Sequence, residues 1–149
     1  MATDQNQYLG NPNLKKANVP VEFTKEQIEE YQKCMGDPVY FIQEYMKIVS
    51  LDEGLVPFKM YDFQQDMVQT FHDNRFTICK LPRQSGKSTT IIAYLLHYVL
   101  FNQNVNVAIL ANKSSTARDI LGRLQLGYEN LPKWLQQGVV SWNKGSLDL

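Results

Sequence analysis

The stretch KLPRQSGKSTTI, residues 80–91, constrains this chain more than any other, because it sets Gly86, Lys87 and Ser88 between two apolar segments of different periodicity. Before it, Phe76–Lys80 (FTICK) is a short β-rich run suited to a buried strand. After it, Ile91, Ile92, Leu95, Leu96, Val99 and Leu100 recur at i, i+4 and i+8, and this spacing predicts a helix over 87–100 packed on something flat. FNQN breaks that helix. Val105–Ala111 (VNVAILA) then reads as a second buried strand, and Ser114 or Ser115 can cap a helix carrying Ala117, Ile120, Leu121 and Leu124. Strand, helix, strand, helix implies a parallel sheet with a right-handed crossover, since parallel neighbours cannot be joined by a tight turn.

The loop between the first strand and helix has a chemistry of its own. First-turn N–H groups of a helix have no partners inside it, and the helix dipole adds positive potential there. Gly86 allows close backbone approach, Lys87 can reach terminal phosphates and Ser88 can ligate Mg²⁺, so the pieces form a phosphate cradle. The pattern departs from GxxxxGK[ST] at one place, where Leu81 stands at the first glycine and Pro82 builds the turn instead. The plainer reading is a glycine turn beside a solvated lysine. Arg83, four residues before Lys87, either neutralises charge on a transferred phosphoryl group, as an arginine finger does, or is a structural or solvated arginine.

The remaining chain divides by its punctuation. Residues 1–22 are polar with Gly10, Pro12 and Pro20, and read as an extended arm rather than a packed element, its tip disordered. Thr24 and Gln27 make a capping box for a helix that ends at Gly36. Asp37–Pro38 starts a second helix with Phe41, Ile42, Tyr45 and Ile48 at helical spacing. SLDEGLVPFKM, residues 50–60, is a connection. A third helix is expected over 62–72, and GVVSWNKGSLDL alternates around Asn143–Lys144–Gly145 as a hairpin. His72 and His97 fall on helices without partners at metal spacing.

Composition excludes several classes. With 44% apolar and 20% charged residues over 149 positions, the chain is neither disordered nor fibrous, and its size suits one domain. Lys plus Arg and Asp plus Glu both total 15, so any polyanion site must be local. Cys34 and Cys79 lie far apart and read as buried thiols in a reducing compartment. No stretch approaches the roughly 20 apolar residues of a membrane span, and MATDQNQYLG lacks a leader's apolar region, so a cytoplasmic location is expected.

Taken in order, YDFQQDM (61–67), CKLPRQSGKST (79–89) and VAILANKSSTA (107–117) resemble the ATPase domain of the large terminase subunit of contractile-tailed bacteriophages, the DNA-packaging motor. LGNPNLKKANV, KCMGDPVYFIQEY and LPKWLQQGVVSWNKGSLDL are similar to further segments of that family. The resemblance implies ATP and Mg²⁺ as ligands and a deviant P-loop over Arg83, Gln84, Ser85, Gly86, Lys87, Ser88 and Thr89. It implies Arg83 and Lys87 as catalytic, Ser88 as the metal ligand and Gln64 as the adenine contact, its carboxamide offering acceptor and donor side by side. ANKSSTA resembles the motif that follows the P-loop helix in helicase-like ATPases, which touches DNA or couples ATP to movement, although Ser114 as a helix cap is the simpler reading and alone explains the serine pair.

The expected fold is α/β: a P-loop NTPase-type parallel sheet flanked by helices, incomplete, with a small N-terminal helical subdomain. The divisions are an arm at 1–22, a helical subdomain at 23–73 and the first part of the ATPase domain at 74–149. In the family, Mg²⁺ and the attacking water are held by an apolar strand ending in Asp-Glu. The Asp-Glu pair here, Asp52–Glu53, lacks such a strand, so negligible turnover is expected from these residues alone. Partners implied by resemblance are double-stranded DNA, the portal, the small terminase subunit and further copies in a ring, in the cytoplasm of the infected host. A helicase-type ATPase or a non-catalytic partner-binding module is the alternative.

Overall fold

The computed structural model describes residues 6–50 and 52–149. Among the described residues, five helices and three two-stranded antiparallel hairpins make an α/β arrangement without a barrel. The helices are α1 (Lys25–Gly36), α2 (Pro38–Tyr45), α3 (Asp62–Asp73), α4 (Lys87–Phe101) and α5 (Ser114–Glu129). The strands are β1 (Gln7–Tyr8) with β2 (Asn11–Lys15), β3 (Lys47–Ser50) with β4 (Gly54–Pro57), and β5 (Ser141–Trp142) with β6 (Leu147–Asp148).

Local chemistry explains where most elements begin. Thr24 Oγ1 accepts from Gln27 N at 3.2 Å while Gln27 Oε1 accepts from Thr24 N at 3.0 Å, the reciprocal cap expected for α1. Asp37 Oδ1 accepts from Tyr40 N at 2.9 Å, and Pro38 opens α2. At the other end of the chain, Asn143 Oδ1 accepts from Gly145 N and Ser146 N at 2.8 and 2.9 Å, which closes the β5–β6 turn.

The core lies around α4. Ile92, Ala93, Leu96 and Leu100 are fully buried against Phe41 and Ile42 of α2, Val68 of α3, and Leu124 and Tyr128 of α5. Gly127 lets α5 approach closely, since a Cβ there would lie 2.7 Å from Met46 Cε and 3.2 Å from Leu96 Cδ2. His97 shares this core: its Nε2 donates to the Cys34 carbonyl at 2.9 Å while Nδ1 is buried without a partner. Burial lowers its pKa from 6.5 to about 4. The same packing pushes the Cys34 thiol up to about 12.

Four expectations are corrected. First, the stretches Phe76–Lys80 and Val105–Ala111, read as parallel strands, form no ladder among the described residues, and every strand pair is antiparallel. Parallel strands are stable only with both sheet faces covered, and here Phe76, Ile78 and Leu110 are 83, 97 and 89% exposed. Consequently α4 packs on helices instead of a sheet, Ile91 is partly exposed, and Cys79 is exposed rather than buried.

Second, the arm is extended but packed. Leu14 is buried, Ala17 N donates to Val139 O at 3.1 Å and Val139 N to Lys15 O at 2.8 Å, so the N-terminal strand is zipped to the tail. The arm's tip, residues 1–5, lies outside the described residues. Third, 50–60 is not a plain connection, because β3 and β4 pair from Lys47↔Pro57 to Ser50↔Gly54, with Gly54 at φ 73 taking the left-handed position. Fourth, α5 has Lys113 at its N-cap with no side-chain cap bond, so Ser114 belongs to the first turn and capping does not account for the serine pair.

Candidate functional site

The geometry of the 80–91 stretch starts from one backbone angle. Gly86 is the N-cap of α4 at φ 74, and Gln84, two residues earlier, is at φ 63. Left-handed backbone at a non-glycine residue costs roughly 1–2 kcal/mol, so the loop stores strain where glycine is absent. Thr90 closes the first turn, its N and Oγ1 both donating to Gly86 O at 3.0 and 3.2 Å. The amides of Lys87, Ser88 and Thr89 precede that bond and have no intrahelical acceptor.

Within the loop, one carbonyl collects the cation. Pro82 O accepts from Lys87 Nζ at 3.2 Å and from Ser85 Oγ at 3.0 Å. The half-buried Lys87 thus folds back onto its own loop instead of extending into solvent. Ser88 is exposed in the first turn, and Arg83 is exposed with no hydrogen bond among the described residues. Free amides, an ammonium and an exposed hydroxyl are a donor set suited to an anion and a hard cation.

Gln64 forms the wall behind the loop. It is 3% exposed on the first turn of α3; its Oε1 accepts from Tyr61 N at 3.0 Å and its Nε2 donates to Ser85 O at 3.2 Å. A cleft of about 650 Å³ opens beside it, lined by Gln64, Leu81, Gln84, Gly86 and Thr89 on the loop side. The rings of Tyr61 and Phe63 stand at its mouth, stacked at 5.9 Å with 9° between planes. Aromatic side chains on helices belong by default to the core. Yet Tyr61 is 71% exposed, and its place three residues before Gln64 at the head of α3 was the available signal.

The structure therefore brings Gln64, Gln84, Ser85, Gly86, Lys87 and Thr89 together and leaves Arg83 and Ser88 on the open side. Asp52–Glu53 takes no part: both residues sit in the exposed β3–β4 turn, where their amides lie 3.4 Å from Ser50 Oγ. A second cavity of about 660 Å³, between residues 105–109, α5 and the β5–β6 hairpin, is built from other residues. Among the described residues no group of three or more His, Cys, Asp or Glu could hold a metal ion, and no helix is long and apolar enough to cross a membrane.

The class defined so far is an α/β chain whose longest apolar helix starts at a left-handed glycine followed by lysine. Comparison with known families narrows it: residues 78–149 match the family described as terminase large subunit, T4likevirus-type, N-terminal. Over those residues the chain belongs to the N-terminal domain family of T4-like large terminases. The matched segment begins two residues after Phe76 and contains the loop, α4, α5 and the β5–β6 hairpin.

Proposed function

We propose that this chain is the ATP-binding front part of a viral DNA-packaging ATPase, with the triphosphate seated on Gln84 to Thr89. The observation that supports this best is the left-handed Gly86 at the head of α4, with Lys87 folded back onto the loop at the Pro82 carbonyl. On arrival of phosphate oxygens, the ammonium exchanges the neutral Pro82 carbonyl for an anionic acceptor, which adds ion–ion attraction to a bond whose donor is already charged. Ser88 would hold Mg²⁺, whose role is to neutralise phosphate charge. Arg83, unpaired and on the same loop, is the cationic side chain free to approach the terminal phosphate.

The adenine end of the reading rests on the cleft. Tyr61 and Phe63 present a flat apolar face at its mouth, and Gln64 lies behind them. On the same reading, translocation of double-stranded DNA belongs to the full motor. Titration of the chain with Mg²⁺-ATP tests the proposal. Saturable binding in the wild type that is strongly weakened in Lys87→Ala is the expected result, and unchanged affinity in that variant would remove the phosphate role.

A further inference from the structure

Gln64 does something in this structure that an adenine contact does not require, and it does so on the phosphate side. Its carboxamide spans two elements: Oε1 takes the Tyr61 N–H that α3 leaves free, and Nε2 holds the Ser85 carbonyl 21 residues further on. The side chain is 97% removed from solvent, on its 3% exposure. The loop is shaped around it, since a Cβ on Gly86 would lie 2.5 Å from Nε2. Gly86 is thus demanded twice, by its φ of 74 and by the amide of Gln64.

The peptide between Ser85 and Gly86 is planar and trans, so its C=O and N–H point to opposite sides. Pulling the Ser85 carbonyl toward α3 therefore turns the Gly86 N–H away from α3. A donor oriented before its acceptor arrives loses less freedom on binding, which is how a buried strap raises affinity without touching the ligand. We propose that Gln64 is a positioning residue for the phosphate loop, a strap that holds the Ser85–Gly86 peptide in its anion-binding orientation regardless of the base attached. This rests on the reading that the loop holds a triphosphate.

The test compares three probes, Mg²⁺-ATP, Mg²⁺-GTP and tripolyphosphate, on the wild-type chain and on Gln64→Met and Gln64→Asn. Methionine keeps the bulk without the amide, and asparagine keeps the amide one methylene too short to bridge. A neutral hydrogen bond contributes about 0.5–1.5 kcal/mol, so all three probes should weaken by a common factor of about 3- to 10-fold. Amide exchange at Gly86 in the protein without any probe should quicken in both variants, while circular dichroism shows the helices retained. A loss confined to ATP, with GTP, tripolyphosphate and Gly86 exchange as in the wild type, would make Gln64 a base reader and overturn the strap. Failure of all three probes to bind the wild type would instead overturn the triphosphate reading, and the strap with it.

Discussion

Two glutamines are buried among the described residues, Gln64 and Gln136, and they are used differently. Gln136, 2% exposed, is saturated: Nε2 donates to the carbonyls of Asn13, Tyr128 and Leu131 at 3.0, 3.1 and 3.1 Å, and Oε1 accepts from Lys15 N at 3.1 Å. Gln64 makes one donation and one acceptance, which leaves an N–H and a lone pair uncommitted. A fully satisfied amide locks the N-terminal strand to the tail and offers nothing to a ligand. A half-satisfied amide beside a cleft is where a fold keeps capacity in reserve. The contrast separates a structural hub from a functional wall more sharply than burial does, because the two residues are buried alike.

The largest effect should come from breaking the hub. Gln136→Leu strands the Lys15 N–H and the carbonyls of Asn13 and Leu131, while Tyr128 O keeps the Leu131 N–H, and at roughly 1–3 kcal/mol for a buried group left unpaired, a loss of about 4 kcal/mol is expected in urea unfolding. Nucleotide affinity, measured where the variant is still folded, should not change.

The next effect, on the order of 3 kcal/mol, concerns pH and the helix that carries the loop. His97 is neutral when folded, its pKa lowered to about 4 from 6.5 by burial, opposed by the Cys34 carbonyl bond and reinforced by His72 6.2 Å away, with Asp37 acting the other way. A depressed folded pKa means that the unfolded state binds the proton first. The contribution is therefore complete above about pH 6.5 and is lost as the pH falls toward 4. His97→Phe should flatten that part of the stability profile, and a profile as steep as the wild type's would refute the assignment.

Third in size is Lys87→Ala, where loss of a charged partner of the phosphates, at about 1.5–3 kcal/mol, should lower ATP affinity by roughly 10- to 150-fold in calorimetry. Thermal stability should hold, since the lysine bonds only its own loop. The smallest effect is Gln84→Gly. Relief of left-handed strain, offset by the entropy of glycine, should stabilise by about 0.5 kcal/mol, read as a small rise in Tm.

Much of the helical part was legible in residue order. Thr24 with Gln27, Asp37 with Pro38, and Asn143 with Gly145 and Ser146 act within three residues, so their hydrogen bonds are decided before any tertiary contact forms. Gly86 followed by Lys87 likewise announced the head of α4. Less local signals were misread. Gly54 marked a hairpin that residues 50–60 disguised as a connection, and Ser114 looked like a cap although Lys113 took that position. Gln136 carried no signal at all, since a glutamine followed by a second, Gln137, reads as surface until Asn13 and Lys15 arrive from the far end of the chain.

By itself the sequence determined where most helices start and which family residues 78–149 match. Tertiary structure alone decided that Phe76–Lys80 and Val105–Ala111 stay unpaired, that the N-terminal strand closes on Val139, and that Gln64 reaches Ser85. The reason is one of range. A cap or a turn is satisfied by neighbours along the chain, whereas a strand or a buried amide takes its partners from wherever the rest of the fold brings them.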